Sequence, residues 1–261
     1  MTTPSDPSYL ANPPSACCFT GTLHAGTPRG TVEDILSIPT YISRPTTSNG
    51  NIILYLPDVW GLSPNAKLLM DGYAAAGYLV LGIDYFRGDP ISNYRRTRND
   101  PPPPDFDHPA WLAKHFAFAS AHVLPWAAAV REKFGTSPTI QYACVGYCFG
   151  APFVCQLLAT DEVSAGAFAH PSRLTEEHFV GVKHPLLLSC AETDGAFPPE
   201  LRRKAVDVLQ REKKVYHVQL FQGVSHGFAS RGDLDDPYEK WCKEQSHSAI
   251  VSWFDLWLAK S

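Results

Sequence analysis

Residues 140–150, Ile-Gln-Tyr-Ala-Cys-Val-Gly-Tyr-Cys-Phe-Gly, close an apolar, strand-like run with Gly146-Tyr147-Cys148-Phe149-Gly150, and the next nine residues, Ala-Pro-Phe-Val-Cys-Gln-Leu-Leu-Ala, read as a helix. Cys148 stands where a strand-to-helix nucleophile elbow carries its attacking residue, with cysteine in place of the usual serine. Such an elbow demands small residues two positions either side of the nucleophile, because the strand and helix nearly touch there, and Gly146 and Gly150 occupy those positions. The thiolate is the reactive form of cysteine, and an unperturbed thiol is mostly neutral at pH 7. A base to take its proton, and an acid to hold that base, must therefore follow, in the order nucleophile, acid, histidine.

Both follow. Residues 185–191 read as a buried strand and Glu192-Thr193-Asp194-Gly195 as the turn after it, which sets Asp194 at the strand's carboxyl end with Glu192 as the rival acid. Residues 215–221 alternate like a strand, and the loop after them carries His226-Gly227-Phe228. Loops at the carboxyl ends of parallel strands converge, so three segments far apart in sequence can share one site. Each residue also has a plain reading: Cys148 as a small buried hydrophobe, Asp194 as a turn former, and His226 as one of ten histidines. Their joint occurrence in order, each after a strand, points to a Cys148-His226-Asp194 triad.

The elements that must carry these groups alternate between strand and helix. Residues 1–30 are rich in Pro, Ser and Thr and read as an irregular N-terminal arm packed on a single domain of residues 31–261. Residues 37–43 suggest an edge strand, since Pro39 is poorly suited to a central one. Residues 51–56 and 78–84 read as further strands, separated by a helix that Ser63 and Pro64 open and Gly77 closes. The run Pro101-Pro102-Pro103-Pro104 reads as a rigid linker into a helix bearing Leu112, Phe116, Val123, Trp126, Val130 and Phe134, kinked at Pro125. Leu201, Ala205, Val208 and Leu209, then Ile250, Trp253, Phe254 and Trp257, have core-facing helical spacing. This alternation predicts a mostly parallel central sheet with helices on both faces.

With 261 residues and 44% hydrophobic content the chain can bury the core of one sizeable domain. A net charge of −4 offers no footprint for nucleic acid. No apolar run reaches the length of a membrane helix, and Met1-Thr2-Thr3-Pro4 lacks the features of a secretory signal, so a cytoplasmic protein is expected. Seven cysteines without C-x-x-C spacing suit reduced thiols, and the adjacent Cys17-Cys18 read as structural or incidental. No H-E-x-x-H pair and no phosphate-binding glycine loop is present, so neither metal nor nucleotide is expected.

Taken together, Pro57-Asp58-Val59-Trp60-Gly61, the segment from Asp84 to Pro90, Gly146-Tyr147-Cys148-Phe149-Gly150, Glu192-Thr193-Asp194 and His226-Gly227-Phe228 resemble the dienelactone hydrolase family, in particular its fungal cytosolic branch. The resemblance implies an α/β-hydrolase fold without a large lid domain, no cofactor, and a Cys148-His226-Asp194 triad that opens a lactone or activated ester. It also implies an oxyanion hole made by the main-chain N–H groups of Val59 and Phe149. Asp58 falls where the family has a glutamate beside the resting nucleophile, and a carboxylate there would raise the thiol's pKa until substrate displaced it. Arg87 is a match for a substrate-carboxylate arginine; Ser230 stands where the bacterial enzymes carry the second, and Arg231 follows one position later. Arg87 and Arg231 are thus candidates for an anionic group, and Trp60, Tyr147, Phe149 and His170 for a pocket that takes a flat, conjugated substrate. The expected partner is a small-molecule lactone or ester, bound by a monomer or homodimer. The same triad could instead serve lyase, cyclase or transferase chemistry on a polyketide-like thioester, or persist in a catalytically idle binding protein.

Overall fold

The runs Ile-Ile-Leu-Tyr-Leu at 52–56 and Ala-Gly-Ala-Phe-Ala at 165–169 carry no charged side chain that could face water, the pattern of strands covered on both faces. The computed structural model describes residues 8–19, 21–95, 103–137 and 139–259. In it the chain forms β1 (Tyr9–Ala11), β2 (Thr31–Ile35), β3 (Ile38–Ser43), β4 (Ile52–Leu56), α1 (Pro64–Ala75), β5 (Leu79–Ile83), α2 (His108–Phe134), β6 (Tyr142–Tyr147), α3 (Ala151–Leu158), β7 (Ala165–Ala169), β8 (Leu174–Thr175), α4 (Glu176–Gly181), β9 (Leu186–Thr193), α5 (Pro199–Arg211), β10 (Tyr216–Ser225), α6 (Phe228–Arg231) and α7 (Pro237–Trp257). Eight strands make the central sheet in the order β10-β9-β7-β6-β4-β5-β3-β2. Pairing is parallel from β10 to β5 and antiparallel at β5/β3 and β3/β2.

Two hydrophobic clusters flank the sheet. Val123 and Trp126 of α2, Phe153 and Leu157 of α3, and Leu201 and Leu209 of α5 share one with Leu54 and Cys144. Leu69 and Tyr73 of α1 and Ile250 and Phe254 of α7 share the other with Ile53 and Val145. Successive strand side chains point to opposite faces, so neighbours such as Ile53 and Leu54 serve different cores. Such runs need helices on both sides, and burying one large aliphatic side chain contributes about 1.5–3 kcal/mol.

Two expectations are corrected here. Strand β3 is not an edge: β2 lies outside it. Pro39 is tolerated because its C=O accepts from Asp84 N at 2.8 Å, one residue past the end of β5, so its missing N–H falls where that ladder stops. Helix α2 runs through Pro125 as one element. Trp257 is 38% exposed, because only one face of the terminal helix α7 meets the sheet, and its ring packs edge-on against Trp253 at 5.6 Å. Pro101 and Pro102 of the proline run lie outside the described residues. No helix among the described residues is long and apolar enough to cross a membrane.

The arm crosses the carboxyl ends of the strands. Strand β1 pairs with β8, a short 3-10 turn covers Ala16–Phe19, and Asn12 N donates to Ala196 O at 2.6 Å and Thr22 N to Arg231 O at 2.8 Å. Trp60 Nε1 donates to Cys18 O at 3.3 Å, so the arm is fastened to the loops after β4, β9 and β10.

Candidate active site

Strand β6 ends at Tyr147, and Cys148 takes φ +49° before the chain turns into α3. A left-handed backbone at a non-glycine residue is strained and must be held by its surroundings. Gly146 and Gly150 allow that hold: a Cβ at Gly146 would lie 2.8 Å from Gly150 O, and one at Gly150 would collide with Leu56 O of β4. The side chain of Cys148 is completely buried and its Sγ lies 3.7 Å from Ser172 Oγ.

His226 leaves the end of β10 with its N–H on Thr193 O at 3.0 Å, which pins the loop against the end of β9. Its Nδ1 lies 2.8 Å from Asp194 Oδ1, and both side chains are buried. Asp194 Oδ1 also accepts from Ala196 N and Phe197 N, each at 2.9 Å, which fixes the carboxylate before the imidazole meets it. The rival acid Glu192 is exposed and accepts from Gly223 N at 2.9 Å, stapling β10 rather than reaching the histidine. The other side of the imidazole faces two sulfurs: Cys148, whose charge and that of the ring act on each other, and Cys18, whose Sγ stands 3.3 Å from Nε2.

Burial pushes the Cys148 thiol up, but the hydrogen bond from Cys18, the His226 charge and the Arg231 charge outweigh it, and the pKa falls to about 5. Burial would lower the pKa of His226, yet the carboxylate of Asp194 and the thiolate of Cys148 hold it well above the usual imidazole range. The stable pair is therefore thiolate and imidazolium.

Asp58 is engaged by a buried arginine. Arg231 Nη1 donates to its Oδ2 in a short, buried ion pair, Ser230 Oγ donates to the same oxygen at 3.0 Å, and Trp60 N donates to Oδ1 at 2.8 Å. A carboxylate so neutralised does not keep Cys148 protonated. The same pair commits Arg231, 2% exposed, to Asp58 rather than to a substrate anion, and its charge acts on Cys148 from there.

Arg87 is exposed, with its guanidinium over the ring of Phe118 at 4.0 Å. His170, at φ +36°, packs its ring 5.0 Å from that of His226, and its Nε2 lies 3.5 Å from Ser230 Oγ. Burial, then the charges of His226 and Arg231, keep it neutral, with a pKa well below the usual imidazole value. The Tyr147 hydroxyl pairs with Tyr73 at 2.8 Å beneath the sheet ends. Phe149 packs among Tyr85, Phe86 and Phe153 as core. Phe149 follows Cys148 directly, Val59 lies three residues past the end of β4, and both are buried. Beside His226 a cavity of about 300 Å³ is lined by Thr22, Gly227, Phe228 and Arg231.

Cys18 is the residue that sequence reasoning missed, together with Ser172. No periodicity or motif links Cys18 to an elbow so far along the chain; the one signal was an apolar Cys17-Cys18-Phe19 inside a polar arm. Cys17, Cys18 and His226 bring their ligand atoms within 4.8 Å of one another, the one such grouping among the described residues. Both imidazole nitrogens are already engaged by Asp194 and the sulfurs.

A mostly parallel sheet sandwiched by helices, with cysteine at a tight strand-helix turn and histidine after the last strand, defines an α/β-hydrolase fold. The family model for the dienelactone hydrolase family matches residues 38–258, and the chain belongs to that family, hydrolases of carboxylic ester bonds. It is 41% identical over 260 residues to "Dienlactone hydrolase 1" of Gibberella moniliformis, covering 98% of both chains. It is 39% identical over 255 residues to "Dienlactone hydrolase 2" of the same fungus, covering 97% of this chain and 99% of the other. Among solved structures, a putative dienelactone hydrolase from Klebsiella pneumoniae superposes with TM-score 0.70 at 17% identity, over 89% of this chain and 99% of that one.

Proposed function

We propose that the protein opens a lactone or an activated carboxylic ester through a covalent acyl-enzyme, with Cys148 as nucleophile, His226 as proton carrier and Asp194 as the group that orients it. One observation supports this reading: the buried sulfur at the strained elbow and the His226 imidazole act on each other's charge, and that imidazole's Nδ1 lies 2.8 Å from a buried carboxylate. The thiolate attacks the carbonyl carbon, and the main-chain N–H groups of Val59 and Phe149 receive the oxyanion. Losing one such donor typically costs about 2.7–4 kcal/mol of transition-state stabilisation. Collapse of the tetrahedral intermediate breaks the ring C–O bond, and the departing oxygen takes a proton from His226. In the second step water gives a proton to His226, attacks the thioester and releases the acid. Asp194 holds Nδ1 throughout, so that Nε2 faces the reacting atoms.

The substrate in this reading is a small, ring-strained or conjugated ester, since an amide has a poorer leaving group. The working compartment is the cytoplasm, where a low-pKa thiol stays reduced. Turnover of unsaturated lactones in heavy-oxygen water tests the reaction class: hydrolysis places solvent oxygen in the product carboxylate. Products free of solvent oxygen would overturn hydrolysis in favour of transfer or elimination.

The thiolate sets the acid limb. Cys148 deprotonates at about 5, so the reactive form is present above that value and is lost as pH falls through it. With lactone as substrate, kcat/KM is expected to be level near neutrality and to drop about tenfold per unit below about pH 5. A limb near the ordinary thiol value instead would contradict the thiolate-imidazolium resting pair.

A further inference from the structure

Ester cleavage as proposed uses one sulfur, yet the fold delivers a second to the same imidazole. Cys18 Sγ is 3.3 Å from His226 Nε2, its side chain is fully buried, and it sits close enough to Cys148 to help lower the pKa of that thiol. Backbone contacts hold it there: Trp60 Nε1 grips Cys18 O at 3.3 Å, Cys18 N donates to Ser15 O at 2.9 Å, and Thr22 N donates to Arg231 O at 2.8 Å. Cys17 is in contact with Cys18 as well, with Ser15 Oγ 3.3 Å from its sulfur. A thiol has one proton, so Cys18 can donate to Cys148 or to Cys17 but not to both at once. Either way a thiol lies against a neighbouring nucleophilic sulfur, the arrangement of a reactive cysteine beside a resolving one.

We propose that Cys148 and Cys18 form a reversible oxidation site whose reagent is a hydroperoxide and whose product is a Cys18–Cys148 disulfide. The proposal rests on the nucleophilic Cys148 argued above, and not on the ester it cleaves. In the first step the Cys148 thiolate attacks the distal peroxide oxygen. The O–O bond breaks, Cys148 becomes a sulfenic acid, and the departing alkoxide or hydroxide takes the proton of the His226 imidazolium. Neutral His226 then accepts the Cys18 proton through Nε2. The Cys18 thiolate attacks the Cys148 sulfur, the S–S bond forms as the S–O bond breaks, and hydroxide leaves as water with that proton. Overall the two sulfurs lose two electrons to the peroxide, and the products are a disulfide, an alcohol or water, and one further water. The bond ties the arm across the elbow, stops acylation, and shields Cys148 from the irreversible sulfinic stage. A dithiol restores both sulfurs by exchange.

The test treats the full chain with a small excess of hydrogen peroxide, maps disulfides by mass spectrometry of an unreduced digest, and follows esterase activity before and after dithiothreitol. The expected result is a peptide pair joined through Cys18 and Cys148, with activity down at least about tenfold and restored to within about twofold by the dithiol. Cys18→Ala and Cys18→Ser, each compared with its own untreated rate, are expected to pass to sulfinic acid at Cys148 without dithiol recovery, whereas Cys17→Ala keeps the cross-link. Sulfinic acid at Cys148 of the wild type as fast as in Cys18→Ala, or a bond to Cys17 in place of Cys18, would overturn the proposal. Failure of this inference is distinguishable from failure of the hydrolase reading, because peptide mapping needs no turnover and the untreated rate needs no disulfide.

Discussion

Cys148→Ala is expected to lower kcat/KM on a lactone or aryl ester by about four orders of magnitude or more, with the fold intact. The size follows from the role: in triads that act as a unit, removing the nucleophile costs about as much as removing every member, roughly 10⁶-fold in kcat. The sulfur is enclosed by Cys18, Ser172 and His226, and alanine leaves a small void there. Thermal unfolding should therefore differ little, and a steady-state assay beside a melting curve separates lost chemistry from lost structure. Mass spectrometry of the wild type mixed with a slow substrate should show an acyl adduct at Cys148 that the variant lacks. Unaltered turnover in Cys148→Ala would leave the elbow without its proposed role.

Asp58→Asn should have the largest effect on stability. Arg231 is buried, and the carboxylate of Asp58 is its direct counter-ion; removing one partner of such a pair typically costs about 3–5 kcal/mol, because the remaining charge stays in a poorly solvated site. Urea unfolding is expected to show a lowered midpoint with an unchanged slope. The double variant Asp58→Asn with Arg231→Met should recover part of the loss, since an apolar side chain of similar length needs no counter-ion. Equal destabilisation by the single and double variants would mean that the pair is not what holds this corner together.

The same pair shows where sequence reasoning stopped. Asp58 and Arg231 are far apart in the chain, and Arg231 was only a candidate for an anionic group, one position past where the family resemblance puts an arginine. Nothing local reveals that the loop after β4 and helix α6 face each other, so neither partner could be assigned to the other from pattern alone. Arg87, suggested by a loop position after a strand, is exposed and lies over Phe118. The elbow read well because its pattern is written within five residues: a Cβ at Gly146 would strike the backbone of Gly150, although the backbone that excludes a Cβ at Gly150 is Leu56 of β4.

The amino-acid order by itself determined the alternation of buried strands and amphipathic helices, the elbow, and the succession of cysteine, acid and histidine. These depend on side-chain periodicity and on sterics between close neighbours, which linear pattern records. Tertiary structure alone decided that Glu192 accepts from Gly223 on β10, that β3 lies inside the sheet, that Asp58 neutralises Arg231, and that the N-terminal arm lays Cys18 beside His226. The physical reason is common to all four. Each is a pairing between segments distant in the chain, whose strength comes from distance, burial and charge, and those quantities exist only once the sheet has brought its strand ends together.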